Sequence, residues 1–541
     1  MSDVTGSPTS ASAGTVPTLP GHRLSPWWWT VASAPLVAVA TRALADQHSD
    51  NIVPAVYSAE HPFDLYLPRI VPLIQFLAFP IDDYSANLRF QVLLRVFAFC
   101  VVIVWISRRV ADFLGGSRAV AVGAATLLAA YFFVRYPEAG DSIYYGVSAG
   151  MTSTAVFLLS LAAGHRVERA ASSAWRIAWA TVSLALAIAA SFYYVTLLLW
   201  AWLLLVLDVA SRDHGPSRNG RATLIRFARK ARVQTIVLVL AGMAAVVYLR
   251  TGSGENTGLS IGRSLRVVLR TRYLWDQWNF YILENLLIIV GLAALTLLVG
   301  RSMRSLVVGV LAAAAGAGVF AIAALDHVAD NVHLPRYYAP SLFIGLTIGV
   351  SAAAVTIARR LRRVPHDEDD RRGVLMAGGD AQRRLSTSRA AALAVIVSLV
   401  GFTVFVRTPI GFGYEGSDGQ QIRKQGFPLP PGDIRTIEAE MDIDLTFVTG
   451  AHWQAWVTAF TAHENGERLF PVAPFTRAFA RSNRFIPVVP AYGVCLDLSD
   501  GRCVEVAQSL VPANARWQFS VVSSATGSGG RTLHIMKLDR T

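Results

Sequence analysis

Apolar runs alternate along this chain with short polar connections, and each run has the length of a membrane helix. About eleven runs reach the requirement of roughly 20 apolar residues per hydrocarbon thickness. They fall at 27–45, 89–106, 119–134, 144–163, twice within 175–210, and at 235–248, 286–299, 306–325, 341–358 and 390–406. The pair within 175–210 turns near Ser191–Tyr194, and Trp27, Trp28 and Trp29 form an aromatic belt at the start of the first run. The stretch Leu65–Ile81 is apolar but broken by Pro68, Pro72 and Pro80, and is expected to lie against the surface without crossing.

After residue 406 the pattern changes. Leu445–Val448, Val521 and Thr532–Met536 read as strands, and Ile434–Met441 reads as a helix. A small α+β domain is expected over 407–541, following a membrane domain over 26–406. Residues 1–25, rich in Ser, Thr, Gly, Ala and Pro, are expected to be disordered.

Charge orients this arrangement. Arginine is concentrated in alternate connections: Arg108, Arg109 and Arg118; Arg166, Arg169 and Arg176; Arg212 to Arg232; Arg301 and Arg304; Arg359 to Arg389. Short basic loops remain cytoplasmic. The reading is a multi-pass cell-membrane protein with a cytoplasmic N-terminus and an extracytoplasmic C-terminal domain, and with outer loops at 46–88, 250–283 and 325–340. With 53% hydrophobic and 16% charged residues, the chain is far from soluble composition. Orientation accounts for most of the +13 net charge, and no nucleic-acid partner is expected. Of the three cysteines, Cys100 is mid-span, whereas Cys495 and Cys503 flank a turn-like Ser499–Gly501 and are expected to form a structural disulfide.

The candidate chemistry gathers on the outer side. Asp46 and Asp50 follow the first run, where a carboxylate is either a solvated loop acid or, partly desolvated, a general base. Arg42 lies inside that run, a costly place for a charge. Arg263, Arg266 and Arg270 recur at helical spacing, followed by Tyr273, Trp275, Trp278, Phe280 and Tyr281. Such a segment either binds phosphate through its guanidinium groups or rests on lipid headgroups. Arg336, Tyr337 and Tyr338 precede a late run, with Asp326, His327, Asp330 and His333 nearby. Those acids and histidines leave room for a divalent cation without requiring one, and no metal ligand is assigned. Trp453 and Trp456 are either a sugar platform or core residues.

Three stretches resemble the bacterial GT-C-fold membrane glycosyltransferases. They are the acidic first loop running through Phe63-Asp64-Leu65-Tyr66-Leu67-Pro68-Arg69 to Phe79-Pro80-Ile81, the segment Asp141–Gly150 before a span, and Arg336-Tyr337-Tyr338-x-Pro340. The resemblance covers roughly residues 27–406, and the chain departs from it in having no adjacent acidic pair near position 50. It implies transfer of a sugar from a polyprenyl-phosphate donor to an envelope glycan or lipid acceptor on the outer face. Asp46 or Asp50 would be the catalytic acid residue, with Arg263, Arg266, Arg270 and Arg336 on the donor phosphate. Tyr337, Tyr338, Trp275 and Trp278 would contact substrate. Two other classes remain open on the sequence. One is a transporter or flippase of lipid-linked sugar, and the other is a scaffold or sensor with a glycan-binding outer domain.

Overall fold

In a computed structural model of the full chain, the described residues are 81–135, 140–193, 197–212, 220–252, 277–323, 338–362, 403–408, 429–450, 452–467, 469–472, 490–496, 498–509, 517–527 and 531–540, with positions 55, 56, 396 and 400. Among them, nine helices occupy the apolar region: α1 Tyr84–Leu114, α2 Arg118–Arg135, α3 Gly140–Arg169, α4 Ser173–Tyr193, α5 Leu197–Arg212, α6 Gly220–Gly252, α7 Gln277–Gly300, α8 Met303–Ala323 and α9 Ala339–Arg362. Five segments, in α1, α4, α7, α8 and α9, are long and apolar enough to cross a membrane. The first apolar run, at 27–45, lies outside the described residues, and so does most of the last, at 390–406.

The helices are longer than the apolar runs that predict them. The connection expected at Arg221–Arg232 is the first third of the 33-residue α6. The expected loops at 46–88 and 250–283 likewise lose Tyr84–Leu88 to α1 and Gln277 onward to α7. A helix satisfies its own backbone polar groups, and Arg and Lys are good helix formers, so the coil continues past the hydrocarbon edge.

Helix α9 is central. Of its apolar stretch 78% is buried, against 17% for α4, which lies at the periphery. Phe343, Leu346 and Val355 of α9 join Val102, Ile106 and Val110 of α1 in one core. Small residues allow α9 to approach α8 closely: a Cβ added at Gly345 would lie 3.0 Å from both Ala312 O and Gly316 N. Interhelical hydroxyl bonds reinforce the packing, with Ser160 Oγ donating to Ser183 O at 2.7 Å and Ser153 Oγ to Ala190 O at 2.7 Å between α3 and α4.

The second unit contains α10 Pro431–Met441, β1 Leu445–Gly450, α11 His452–Glu464, β2 Phe470–Val472, β3 Ala491–Leu496, α12 Asp500–Ser509, β4 Trp517–Gly527 and β5 Arg531–Arg540. The sheet order is β2-β1-β3-β5-β4. The first three strands are parallel and the last two antiparallel. Helices cover both faces: α10 and α11 pack with Leu445, Val448, Val494 and Ile535, while α12 packs with Phe447, Cys495, Phe519 and Met536. This is a three-layer arrangement, where the sequence reads as α+β. The near-continuous burial of β1 and β3 follows from coverage on both sides. Cys495 and Cys503 are joined by a disulfide that ties the end of β3 to the first turn of α12.

Candidate functional site

Helix α1 connects both ends of the molecule and positions each cluster of polar groups described below. Its N-terminus is capped by Asp83, whose Oδ1 accepts from Ala86 N at 2.7 Å. The face it buries is not uniformly apolar. Tyr84, Asn87, Gln91 and Arg95 recur at three- and four-residue spacing and are at most 2% exposed, so they form one polar ladder inside the bundle. Asn87 Nδ2 donates to Ile81 O at 3.0 Å, and Gln91 Nε2 donates to Asn87 Oδ1 at 2.8 Å. Gln91 Oε1 is buried without a hydrogen-bond partner among the described residues. From Tyr84 to Arg95 the ladder descends about 16 Å at the helical rise of ~1.5 Å per residue. A guanidinium at that depth in an apolar bundle is costly.

The three-layer unit docks where the ladder begins. The Tyr84 ring stacks on His463 with centroids 3.8 Å apart, and Ser85 Oγ donates to Glu464. One turn further, Arg89 donates to Phe405 O at 2.9 Å and to Thr408 O at 2.8 Å. These carbonyls end the short helical turn at 403–407, and an arginine there satisfies groups a helix terminus leaves open. The ladder, the last apolar segment and the C-terminal unit therefore meet at one end of the bundle.

At the opposite end, arginines converge on the last turns of α1. Asp208 of α5 is 1% exposed and binds Arg109 Nη2 at 3.0 Å, Arg212 Nη2 at 3.1 Å and His165 Nε2 at 2.6 Å. Gln234 Nε2 lies 3.2 Å from His165 Nδ1, so α1, α3, α5 and α6 are tied through one buried carboxylate. Arg118 pairs with Asp112 at 2.6 Å, Arg304 donates to Phe113 O at 3.3 Å and Arg359 donates to Leu114 O. Among the described residues, Arg109, Arg118, Arg212, Arg304 and Arg359 of the basic connections thus share one face of the bundle, as their alternation along the chain requires.

Asp46, Asp50, Arg263, Arg266, Arg270, Trp275, Arg336 and Tyr337 lie outside the described residues, as do Arg42, Asp326, His327, Asp330 and His333. Trp278 falls in the first turn of α7. Tyr338, 2% exposed, is packed into the bundle core at the start of α9, beside α3: a Cβ on Gly150 would lie 2.5 Å from Pro340 Cβ. Trp456 is fully buried in the C-terminal unit. No group of three or more His, Cys, Asp or Glu among the described residues is placed to hold a metal ion. Sequence reasoning missed the ladder, although the spacing of Asn87, Gln91 and Arg95 was a legible signal. It also missed Asp208, whose partners Arg109 and His165 are remote in sequence.

No protein-family profile matches the chain, and no curated protein matches it. Among solved structures, one similar chain is the oligosaccharyltransferase of Archaeoglobus fulgidus, crystallised with Zn and sulfate. It is 11% identical, with 91% of this chain and 68% of that chain covered, at a TM-score of 0.34. A score that low does not establish a common fold.

Proposed function

We propose that the protein is a membrane glycosyltransferase that moves a sugar from a polyprenyl-phosphate donor to an envelope glycan or lipid acceptor. The observation that carries this reading is the buried ladder Tyr84–Asn87–Gln91–Arg95. It enters an apolar bundle at the end from which the acidic loop of residues 46–80 leads into α1. A lipid-linked donor presents its sugar at that boundary while its chain stays in the bilayer. The acceptor hydroxyl would attack the anomeric carbon as the bond to the phosphate oxygen breaks. Asp46 or Asp50 would take the hydroxyl proton. Arg263, Arg266, Arg270 and Arg336 would hold the departing polyprenyl phosphate, with fixed positive charge placed where negative charge develops. Trp275, Trp278 and Tyr337 would line the sugar and prenyl path, while Tyr338, expected from the sequence to join them, is packed in the bundle core. A divalent cation would act on the same phosphate if the loop acids supplied its ligands. The ladder end is read as extracytoplasmic.

The decisive experiment measures sugar transfer in membranes from a labelled polyprenyl-phosphate sugar. Asp46→Ala/Asp50→Ala is expected to fold and insert normally but to form no product. Full product formation by that double variant would refute the mechanism. One observation favours a second reading: a guanidinium buried in mid-bundle is also what a lipid-linked-sugar flippase needs. Movement of labelled donor across reconstituted vesicles, lost in Arg95→Gln and indifferent to Asp46 and Asp50, would select it.

A further inference from the structure

Among the described residues, the arginines around the end of α1 outnumber the carboxylates they meet. Arg118, Arg304 and Arg359 reach the last turns of α1, Arg109 of α1 and Arg212 of α5 share Asp208, and the carboxylates these five meet are Asp112 and Asp208. Glu168, 4.0 Å from His165, shares the last turns of α3 with Arg166 and Arg169. Among the described residues, neither Arg304 nor Arg359 has a carboxylate partner. Each directs Nη1 to a carbonyl at the end of α1, and a guanidinium has five N–H donors in a planar fork. The carbonyl end of α1 draws cations to this point but carries only about half an elementary charge.

The surroundings identify what completes the neutralisation. Met303, next to Arg304, is 73% exposed, and Leu361, two residues beyond Arg359, is 69% exposed. Leu298, near the adjoining end of α7, is 71% exposed. Large apolar side chains this bare, beside guanidinium groups that have carbonyl but no carboxylate partners among the described residues, match a molecule that is anionic at its head and apolar below. We propose that this collar binds an anionic phospholipid, with the headgroup phosphate between Arg304 and Arg359 and the acyl chains along Leu298, Met303 and Leu361.

The collar lies at the opposite end of α1 from the ladder, and the inference does not depend on the glycosyl-transfer reading. The full chain would be placed in nanodiscs of phosphatidylcholine with increasing phosphatidylglycerol. Retained lipid would then be counted by native mass spectrometry after transfer to detergent. The wild type is expected to retain phosphatidylglycerol selectively. Arg304→Gln/Arg359→Gln is expected to weaken that retention about twenty-five-fold, since each arginine near an anionic surface contributes roughly fivefold. Removing two arginines from the C-terminal unit, as Arg435→Gln/Arg502→Gln, is expected to leave retention unchanged. Should the collar variant misfold, a photoactivatable phosphatidylglycerol on the wild type is expected to label residues 297–306 and 355–362. Equal retention of both lipids by the wild type would overturn the proposal. So would undiminished retention by a folded collar variant, or labelling confined to the ladder end. Displacement of the lipid by inorganic phosphate would assign the collar to a free anion and overturn it as well.

Discussion

A close approach of two helix backbones yields the sharpest prediction, through Gly345→Ala. The added Cβ would lie 2.9 Å from Ile289 Cδ1 and 3.0 Å from Ala312 O and Gly316 N. The isoleucine methyl can rotate away, but the two backbone atoms of α8 move only if the helix does. Ordinary carbon contacts lie at about 3.5–4.0 Å, so α8 and α9 must part by about half an ångström. Overpacking of this kind costs about 1–3 kcal/mol. Replacing glycine by alanine inside a helix returns up to ~1 kcal/mol, which partly hides the clash. Gly291→Ala on α7 isolates the two effects, because nothing lies within 4 Å of its added Cβ. The difference between the two variants cancels the propensity gain and is expected to be about 2 kcal/mol, or roughly thirty-fold in the folded-to-unfolded ratio. Unfolding of both variants in mixed micelles with increasing dodecyl sulfate, followed by tryptophan fluorescence, measures it. Equal stabilities would refute the close approach of α8 and α9.

Asp208→Asn keeps the shape of the side chain but leaves Arg109, Arg212 and His165 without their shared anion. Removing one member of a buried ion pair costs about 3–5 kcal/mol, and partial exposure of Arg109 and Arg212 places this site near ~3 kcal/mol. The same micelle titration tests this, and Arg109→Gln/Asp208→Asn is expected to cost less than the two single changes summed. In the C-terminal unit, burial raises the Glu438 carboxyl above its ordinary range, although the Leu445 N–H bonded to it acts in the opposite direction. A carboxyl whose folded pKa is raised binds its proton more tightly in the native state. Its ionisation therefore costs stability above the folded pKa, and that cost is relieved as pH falls toward the unfolded value. Glu438→Gln is expected to remove this acid-side gain, read as a flatter dependence of the unfolding midpoint on pH through the carboxylate range. An unchanged profile would refute the burial effect.

Much of the membrane unit was legible because its signals are local. Nine of the apolar runs coincide with described helices, and the alternation of arginine anticipated the face on which Arg109, Arg118, Arg212, Arg304 and Arg359 gather. The helix at Ile434–Met441 and the strands around Leu445, Val521 and Thr532 were equally plain. Helix ends were less so, since the apolar runs mark the hydrocarbon boundary while α6 begins in a basic segment. The candidate catalytic acids and donor-phosphate arginines rest on sequence alone, because they lie outside the described residues.

The sequence by itself determined which segments form long apolar helices and which form the terminal unit, because burying a backbone in an apolar helix or in a sheet depends on contiguous residues. Only the tertiary structure decided which polar groups meet. Asp208 ends an apolar run that gives no hint of Arg109 or His165, and Tyr84 gives none of His463. Those pairings arise from helix packing across 43 to 379 residues, where close approach, not sequence pattern, selects the partner.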